Sequence, residues 1–362
     1  MSALLTMAHE LLTKPGVSDL HIEANVTPWT RTNGRMRCEP DYPAPTEEEV
    51  MAFAELVSGE PREDLMARFK KKGDADYSGQ VNGLRIRGNL WRSYQGNSLL
   101  AMRRLAETIP DFDSLRVPPQ VKEMALRSKG LVLVTGPTGS GKSTTLASLI
   151  SYLNNNRSAH IITVEDPVEY VHQSKKSKVV QREVGRNSLT DFKTALRAAL
   201  REDPDVILIG EMRDRETIST ALDAAQTGHL VFGTLHTINA RQSVDRITSA
   251  FEGSERDWVQ QSLAAVLVGI CSQVLLERQD GGRQVACEVM LNNSSIGHLI
   301  KEGKIGQISN VMDTGRSTGQ LLLNHTLVDM ILKGVISKDE ALYNSYDPAG
   351  LERDLVEALG GR

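Results

Sequence analysis

A run of nine residues has the types and spacing of a loop that binds phosphate. The run reads Gly136-Pro137-Thr138-Gly139-Ser140-Gly141-Lys142-Ser143-Thr144 and fits the pattern G-x-x-x-x-G-K-[ST]. Its glycines allow backbone N–H groups to converge on phosphate oxygens. Lys142 supplies a mobile positive charge for the β and γ phosphates, and Ser143 offers a hydroxyl to Mg²⁺. We therefore expect this loop to bind a nucleoside triphosphate together with Mg²⁺.

The flanking sequence favours this interpretation over the alternative of a plain glycine turn. An apolar run at residues 131–135 precedes the loop. A helical pattern follows it, with apolar residues at Leu146, Leu149, Ile150 and Leu153. A strand, a glycine-rich turn and a helix in this order are the context in which such a loop binds phosphate.

Two adjacent carboxylates, Glu165 and Asp166, follow the β-branched run that begins at His160. In open α/β sheets, ligands bind at the carboxyl ends of the strands, where a carboxylate can orient an attacking water. Alternation along the strand sends the two side chains to opposite faces, and we assign water activation to Glu165. The alternative is that the pair caps a turn that Pro167 fixes.

Glu211 ends another apolar run, since residues 206–214 read VILIGEMRD. The pattern is similar to a Walker B segment, with glutamate where many nucleotidases carry aspartate. A carboxylate at this position can ligate Mg²⁺ directly or through water, as Ser143 can with its hydroxyl. Arg213, two residues further on, is a candidate contact to the nucleotide. Asp214 is expected to be the N-cap of the next helix.

Two histidines bound a third strand-like segment, residues 229–236. His236 ends the segment, where the carboxyl ends of strands meet phosphate. Both a sensor of the γ-phosphate and a structural histidine remain open interpretations for it. His229 begins the segment, at the opposite edge of the expected sheet, and is a secondary candidate.

The composition is that of a soluble globular protein. The chain has 362 residues, of which 40% are hydrophobic and 24% charged, and its formal net charge is -4. No basic field indicates a nucleic-acid partner, and no apolar run is long enough to cross a bilayer. The three cysteines form no C-x-x-C pattern, so neither a zinc site nor a disulfide framework is implied. With no signal peptide apparent, we expect a cytoplasmic protein without membrane insertion.

The pattern along the chain predicts two domains. Residues 1–106 read as a smaller α+β domain, and the prolines of residues 107–119 indicate a linker. From residue 120 to 290 strands alternate with helices, which predicts an α/β core with a mostly parallel sheet. Residues 291–362 read as a C-terminal region of short helices.

These segments, in this order and spacing, resemble one family: the hexameric secretion-motor ATPases, and within it the PilT branch of pilus-retraction ATPases. The likeness runs through almost the whole chain. The similar segments are an N-terminal signature at Ser18-Asp19-Leu20-His21, a Walker A at 136–145, an Asp box at 161–169, a connecting helix within 181–205, a Walker B at 210–214, and a His box at 227–229 with 234–237.

The resemblance implies a PAS-like N-terminal domain followed by a RecA-like P-loop ATPase domain, assembled as a homohexameric ring. It supports water activation by Glu165. It also implies that arginines of the N-terminal domain reach the nucleotide; by position these are Arg85, Arg87 and either Arg104 or its neighbour Arg103. The implied function is an ATP-hydrolysing motor that powers type IV pilus retraction. Such a motor is peripheral to the inner membrane, through a platform protein that it drives.

Two departures bear on which machine is served. The chain lacks the four-cysteine zinc module that assembly ATPases usually carry after the His box, which argues against the assembly branch. Residues 295–303 follow the C-terminal motif of retraction motors only loosely. A DotB/TraJ-type ATPase of a type IVB secretion or conjugative transfer system therefore remains an alternative. A nucleic-acid translocase with a RecA-like core is an alternative of another class, and it predicts stimulation by DNA or RNA.

Overall fold

The computed structural model describes residues 2–59, 62–184 and 191–360. The chain divides into two compact units, Met1–Thr108 and Ile109–Arg362. Most of the predicted linker, from residue 109 onward, belongs to the second unit, where Phe112 and Val117 are buried. The finer division into a core at 120–290 and a helical region at 291–362 stays a prediction.

The first unit is an antiparallel sheet packed against helices. Its strands are β1 (Val17–Glu23), β2 (Val26–Thr32), β3 (Arg35–Cys38), β4 (Asp74–Val81), β5 (Leu84–Arg92) and β6 (Ser98–Arg104). Its helices are α1 (Ser2–Thr13), α2 (Glu47–Ser58) and α3 (Arg62–Lys72). The strand order is β3-β2-β1-β6-β5-β4, and every neighbouring pair is antiparallel.

Local sequence accounts for these elements. Leu84, Ile86 and Leu90 alternate with more exposed residues along β5, so one face of the sheet packs on the helices. Thr46 and Glu49 form a capping box that starts α2. The predicted α+β class is confirmed.

The second unit alternates strands with helices. Its strands are β7 (Gly130–Thr135), β8 (His160–Glu165), β9 (Lys178–Glu183), β10 (Val206–Ile209), β11 (Leu230–Leu235), β12 (Leu267–Glu277) and β13 (Arg283–Leu291). Its helices are α4 (Pro119–Ala125), α5 (Lys142–Asn156), α6 (Phe192–Ala199), α7 (Arg215–Gln226), α8 (Ala240–Ser249), α9 (Gly253–Val266), α10 (Ser294–Lys301), α11 (Ile308–Thr314), α12 (Leu323–Leu332), α13 (Lys338–Asn344) and α14 (Pro348–Gly360).

The seven strands form one sheet in the order β13-β12-β7-β11-β10-β8-β9. All neighbours are parallel except β12 and β13, which confirms the mostly parallel sheet. Residues from both faces are buried: Val132 and Phe232 pack in the cluster that includes α5, and Leu133 and Val231 pack in the cluster that includes α7. A sheet covered on both faces explains why its central strands read as continuous apolar runs.

The order of the central strands matters for the site. β7, β11, β10 and β8 are consecutive neighbours, so the residues that follow their carboxyl ends share one edge of the sheet. Across the three described ranges, we find no helix with the length and apolar character needed to span a membrane.

Candidate active site

The glycine-rich loop joins the end of β7 to the start of α5, as its sequence predicts. Gly136, Gly139 and Gly141 have φ angles of 141°, 83° and 88°, in the region that residues with side chains rarely adopt. Gly141 is the N-cap of α5, so the unpaired N–H groups at the start of this 15-residue helix lie at the loop. The loop and the helix N-terminus together form an anion-binding site.

Lys142 lies over the loop. Its Nζ donates hydrogen bonds to the carbonyl oxygens of Gly136, at 2.7 Å, and Pro137, at 3.1 Å. Burial lowers the pKa of this ammonium, whereas the negative charges of Glu211 and Glu169 act to raise it. Both carboxylates are therefore close enough to Lys142 to interact with its charge.

Glu165 is the last residue of β8 and is partly buried. Its Oε1 accepts hydrogen bonds from Thr163 Oγ1 at 2.6 Å and from Gln181 Nε2 at 3.1 Å. Burial raises the pKa of this carboxyl, against the two hydrogen bonds, and the nearby charge of Glu169 adds to the rise. A carboxylate with a raised pKa, held by neutral partners, is suited to accept a proton from water.

Glu211 lies next to the end of β10, and its side chain is 17% exposed. Arg213 Nε forms an ion pair with Glu211 Oε1, and His236 Nε2 lies 3.0 Å from the same oxygen. Burial acts to raise the pKa of Glu211, but the hydrogen bond and charge of Arg213, followed by the charge of His236, outweigh it, and the pKa is lowered. The carboxylate is thus ionised at neutral pH.

Gly210 brings the backbone of Glu165 close to that of Glu211. Its N–H donates to the carbonyl of Val164 at 2.7 Å, and a Cβ placed on it would lie 3.2 Å from the Cα of Glu165. Glu165 and Glu211 are therefore carried by backbone segments in direct contact. The site thus holds Lys142 and three carboxylates, Glu165, Glu169 and Glu211, along one edge of the sheet.

The residues present fit a magnesium ion. Mg²⁺ prefers oxygen ligands, and here they are the ionised carboxylate of Glu211 and the hydroxyl of Ser143 in the first turn of α5. Ser143 is exposed, so its hydroxyl is accessible to an ion at the loop.

Other candidates lie away from this cluster or in the other unit. His229 lies just before β11, at the opposite edge, where its ring contacts the carbonyl of Ala224 at 2.9 Å. In the first unit, Arg85 and Arg87 point to the face of β5 away from the helices, and Arg104 pairs with Glu107 at 3.0 Å. Their contact with nucleotide stays a prediction.

Reasoning from motifs missed several polar residues that support the site. Thr163 and Gln181 hold Glu165, and Glu169 adds a charge beside it. Beneath the loop, the hydroxyl of Ser243 lies 2.6 Å from Thr237 Oγ1 and 3.3 Å from Thr135 Oγ1. No sequence motif marks these residues, because their contacts depend on how the strands and helices pack.

Comparison with known proteins places this site in a family. The family described as "Type II/IV secretion system protein" matches residues 99–342. The type IV pilus retraction ATPase PilT of Pseudomonas aeruginosa is 42% identical over 330 residues, which cover 91% of this chain and 94% of that protein.

Solved structures agree. The pilus retraction motor PilT with bound ADP matches with a TM-score of 0.87 and 43% identity, covering 97% of this chain and 99% of that one. The ATPase DotB of Legionella pneumophila matches with a TM-score of 0.80 and 26% identity, covering 93% of each chain. The predicted resemblance to pilus-retraction ATPases and the predicted fold are confirmed, and this chain is an ATPase that belongs to the type II/IV secretion system protein family.

Proposed function

We propose that the chain is an ATP-hydrolysing motor that powers type IV pilus retraction. The observation that carries this proposal is the convergence of the phosphate loop, Glu211 and Glu165 on one edge of the sheet, in a chain that is 42% identical to a pilus retraction ATPase. The structural relative at 43% identity holds ADP, which supports binding of adenine nucleotide here.

The side chains divide the chemistry between them. Lys142 and the backbone amides of residues 136–144 bind the phosphates. Glu165 accepts a proton from the attacking water, for which its raised pKa and its position at the end of β8 suit it. His236 senses the γ-phosphate. It lies beside Glu211, and its ring is exposed and therefore accessible to a bound nucleotide.

Glu211 and Ser143 hold Mg²⁺, which supplies positive charge to the phosphate oxygens. Arg213 and His236 both contact the same oxygen of Glu211, so Mg²⁺ held by that carboxylate would compete with them for it. An Arg213 side chain freed in this way would be available as a contact to the nucleotide.

The motor function needs more than one subunit. We propose a homohexameric ring that acts on an inner-membrane platform protein from the cytoplasmic side. In it, arginines of the first unit, Arg85, Arg87 and Arg104, add positive charge to the nucleotide site. Movement of one unit relative to the other on binding and hydrolysis is the physical means of producing force.

A DotB-type ATPase of a type IVB secretion or conjugative transfer system is the second candidate. The structural match to DotB, with a TM-score of 0.80, favours it. The 26% identity to DotB is well below the 43% identity to the retraction motor, so we prefer pilus retraction. No observation favours the nucleic-acid translocase.

Replacement of Lys142 tests the nucleotide site. In Lys142→Ala we expect ADP affinity to fall by about 10²-fold or more, because a charge-assisted contact to phosphate is lost. Lys176→Ala removes an exposed lysine of the same unit and serves as the control. Unchanged ADP affinity in Lys142→Ala, measured by calorimetry, would contradict the loop assignment.

Deletion of the gene in its native host tests the machine. Pilus retraction predicts cells that keep surface pili but lose twitching, with recovery by the intact gene and none by Glu165→Gln. If pili and twitching are normal and a secretion or conjugation activity is lost instead, the second candidate is correct.

A further inference from the structure

Gln273 of β12 lies directly beneath the phosphate loop. Its side chain is buried, with 1% of the residue exposed. Its Nε2 donates a hydrogen bond to the carbonyl oxygen of Ser140 at 2.7 Å. β12 runs parallel to β7 with Ser272 opposite Thr135, so Gln273 is the first residue of β12 beyond the end of β7.

The same residue touches both ends of the loop. A Cβ placed on Gly136, where the loop begins, would lie 2.3 Å from the backbone oxygen of Gln273. A Cβ placed on Gly141, where the loop ends, would lie 3.3 Å from Gln273 Nε2. Glycine at both positions allows this close approach, so the loop contacts Gln273 at each end.

The hydrogen bond to Ser140 fixes the direction of an N–H group. The carbonyl of Ser140 and the N–H of Gly141 belong to one planar trans peptide and point in opposite directions. When Gln273 holds this carbonyl toward β12, the N–H of Gly141 points away from β12, to the side where phosphate binds. Hydrogen-bond donors that are oriented before the ligand arrives raise its affinity, because their ordering does not have to be achieved on binding.

Gln273 does more than pack in the core. Its Oε1 is buried and finds no hydrogen-bond partner among the residues that the structure describes. Burying an unpaired amide oxygen is unfavourable, and an apolar side chain of the same length would avoid this penalty. The contribution of Gln273 is therefore the hydrogen bond that its Nε2 donates.

We propose that Gln273 is a positioning residue for nucleotide binding, which sets the orientation of the phosphate loop from below through the carbonyl of Ser140. The proposal rests on the assignment of residues 136–144 as the nucleotide-binding loop. Gln273 lies outside every motif by which that loop is recognised, and it acts through the loop rather than by contact with substrate.

The test replaces Gln273 by methionine, which keeps the length of the side chain and removes the donor. In Gln273→Met we expect ADP affinity to fall, and KM for ATP to rise, by about 5- to 20-fold, with kcat within about twofold of wild type. The matched control is Gln320→Met. Gln320 is another buried glutamine of the same unit and bonds the backbone of Leu291 at 2.8 and 2.9 Å.

A merely structural role predicts a different result. It predicts similar losses of thermal stability in both methionine variants and no selective rise in KM. If Gln273→Met does not fold, Gln273→Leu carries the test, since leucine is apolar and uncharged and also lacks the donor. A folded Gln273 variant with ADP affinity within twofold of wild type, or an equal loss in Gln320→Met, would overturn the proposal. Lys142→Ala distinguishes failure of the Gln273 proposal from failure of the loop assignment. If Lys142→Ala abolishes ADP binding and the Gln273 variants do not weaken ADP binding, only the inference about Gln273 fails.

Discussion

Nε2 of His236 lies 3.0 Å from Oε1 of Glu211, and this contact joins the ends of two neighbouring strands, β11 and β10. The carboxylate oxygen is the one that also faces the guanidinium of Arg213. A change of charge at Glu211, such as the arrival of Mg²⁺, is therefore felt directly by the imidazole. The next residue, Thr237, has its hydroxyl 2.6 Å from that of Ser243 in α8. The contact with Glu211 supports our proposal that His236 senses the state of the phosphate site.

Replacement of His236 should slow hydrolysis without preventing nucleotide binding. In His236→Ala we expect kcat to fall by about 10- to 100-fold and ADP affinity to stay within a few-fold, because the loop and Lys142 are intact. His229→Ala is the matched control at the opposite end of β11, about 20 Å away for a strand of this length. Steady-state ATPase assays on purified protein measure kcat of both variants, and calorimetry measures their ADP affinity. Equal losses in the two variants would show that His236 has no special role at the phosphate.

Glu165→Gln should separate binding from chemistry. The amide keeps the size of the side chain but cannot take a proton from water, so we expect turnover to fall by about 10²-fold or more. ADP affinity, measured by calorimetry, should remain close to that of wild type. The control is Glu255→Gln, which changes an exposed glutamate of α9 in the same unit. Near-normal turnover in Glu165→Gln would remove Glu165 from the chemistry.

The pH dependence of turnover should reflect the buried position of Glu165. Burial raises the pKa of this carboxyl, and a general base works only when deprotonated, so kcat should fall as the pH drops through that raised pKa. The acid limb should thus lie above the usual glutamate value of about 4.3. Glu169 contributes negative charge to the rise, so Glu169→Gln should move the limb of the kcat profile to lower pH. A shift in the opposite direction would refute this electrostatic account.

Much of the fold was predictable because its signals are local. The apolar run of β7, the glycines of the loop and the periodic leucines of α5 lie within 27 residues, from Gly130 to Asn156. β3 and β4 were not predicted, because Arg35-Met36-Arg37-Cys38 is polar and exposed, and β4 carries two aspartates and a glycine. These strands exist through pairing with neighbours, which a local pattern does not show.

The site was predictable where residues follow the ends of apolar strands. Glu165, Glu211 and His236 share an edge because parallel strands end on the same side. Their supporting partners were not predictable: Gln181 reaches Glu165 from β9, and Gln273 reaches the loop from β12, 133 residues after Ser140. Such contacts depend on the strand order, in which β12 lies beside β7 although it follows much later in the chain.

Asp214 should contribute to stability and not to nucleotide binding, although it follows Glu211 by three residues. The structure confirms it as the N-cap of α7: Oδ1 accepts from Thr217 N at 2.8 Å and Oδ2 from Thr217 Oγ1 at 2.9 Å. Asp214→Ala should lower the free energy of unfolding by about 1 kcal/mol, as loss of an N-cap does. Asp214→Ser keeps a capping oxygen and should recover most of the free energy of unfolding that Asp214→Ala loses. Denaturation in urea measures the change, and weaker ADP binding at unchanged stability would place Asp214 in the site instead.

Of the arginines of the first unit that follow, we expect Arg87 to contribute most to the charge at the nucleotide. On the same sheet, Arg103 donates to Asp19 at 2.7 Å and Arg104 pairs with Glu107 at 3.0 Å, so their charges are balanced. Arg87 is exposed, and no carboxylate in the described part of the chain pairs with it. We expect Arg87→Ala to lower kcat by about 10²-fold or more, because an arginine that stabilises developing phosphate charge contributes on the order of 10³ or more.

The control for Arg87 is Arg37→Ala, which removes an exposed arginine from the edge strand β3 of the same sheet. ATPase assays should be paired with light scattering, so that a change of oligomeric state is distinguished from loss of chemistry. With the oligomer intact, Arg87→Ala should bind ADP normally and hydrolyse ATP slowly, and Arg87→Lys should recover part of the rate, since it keeps the charge but not the planar fork. If Arg87→Ala hydrolyses ATP at the wild-type rate, as Arg37→Ala should, Arg87 is a solvated surface residue and another cation must complete the site.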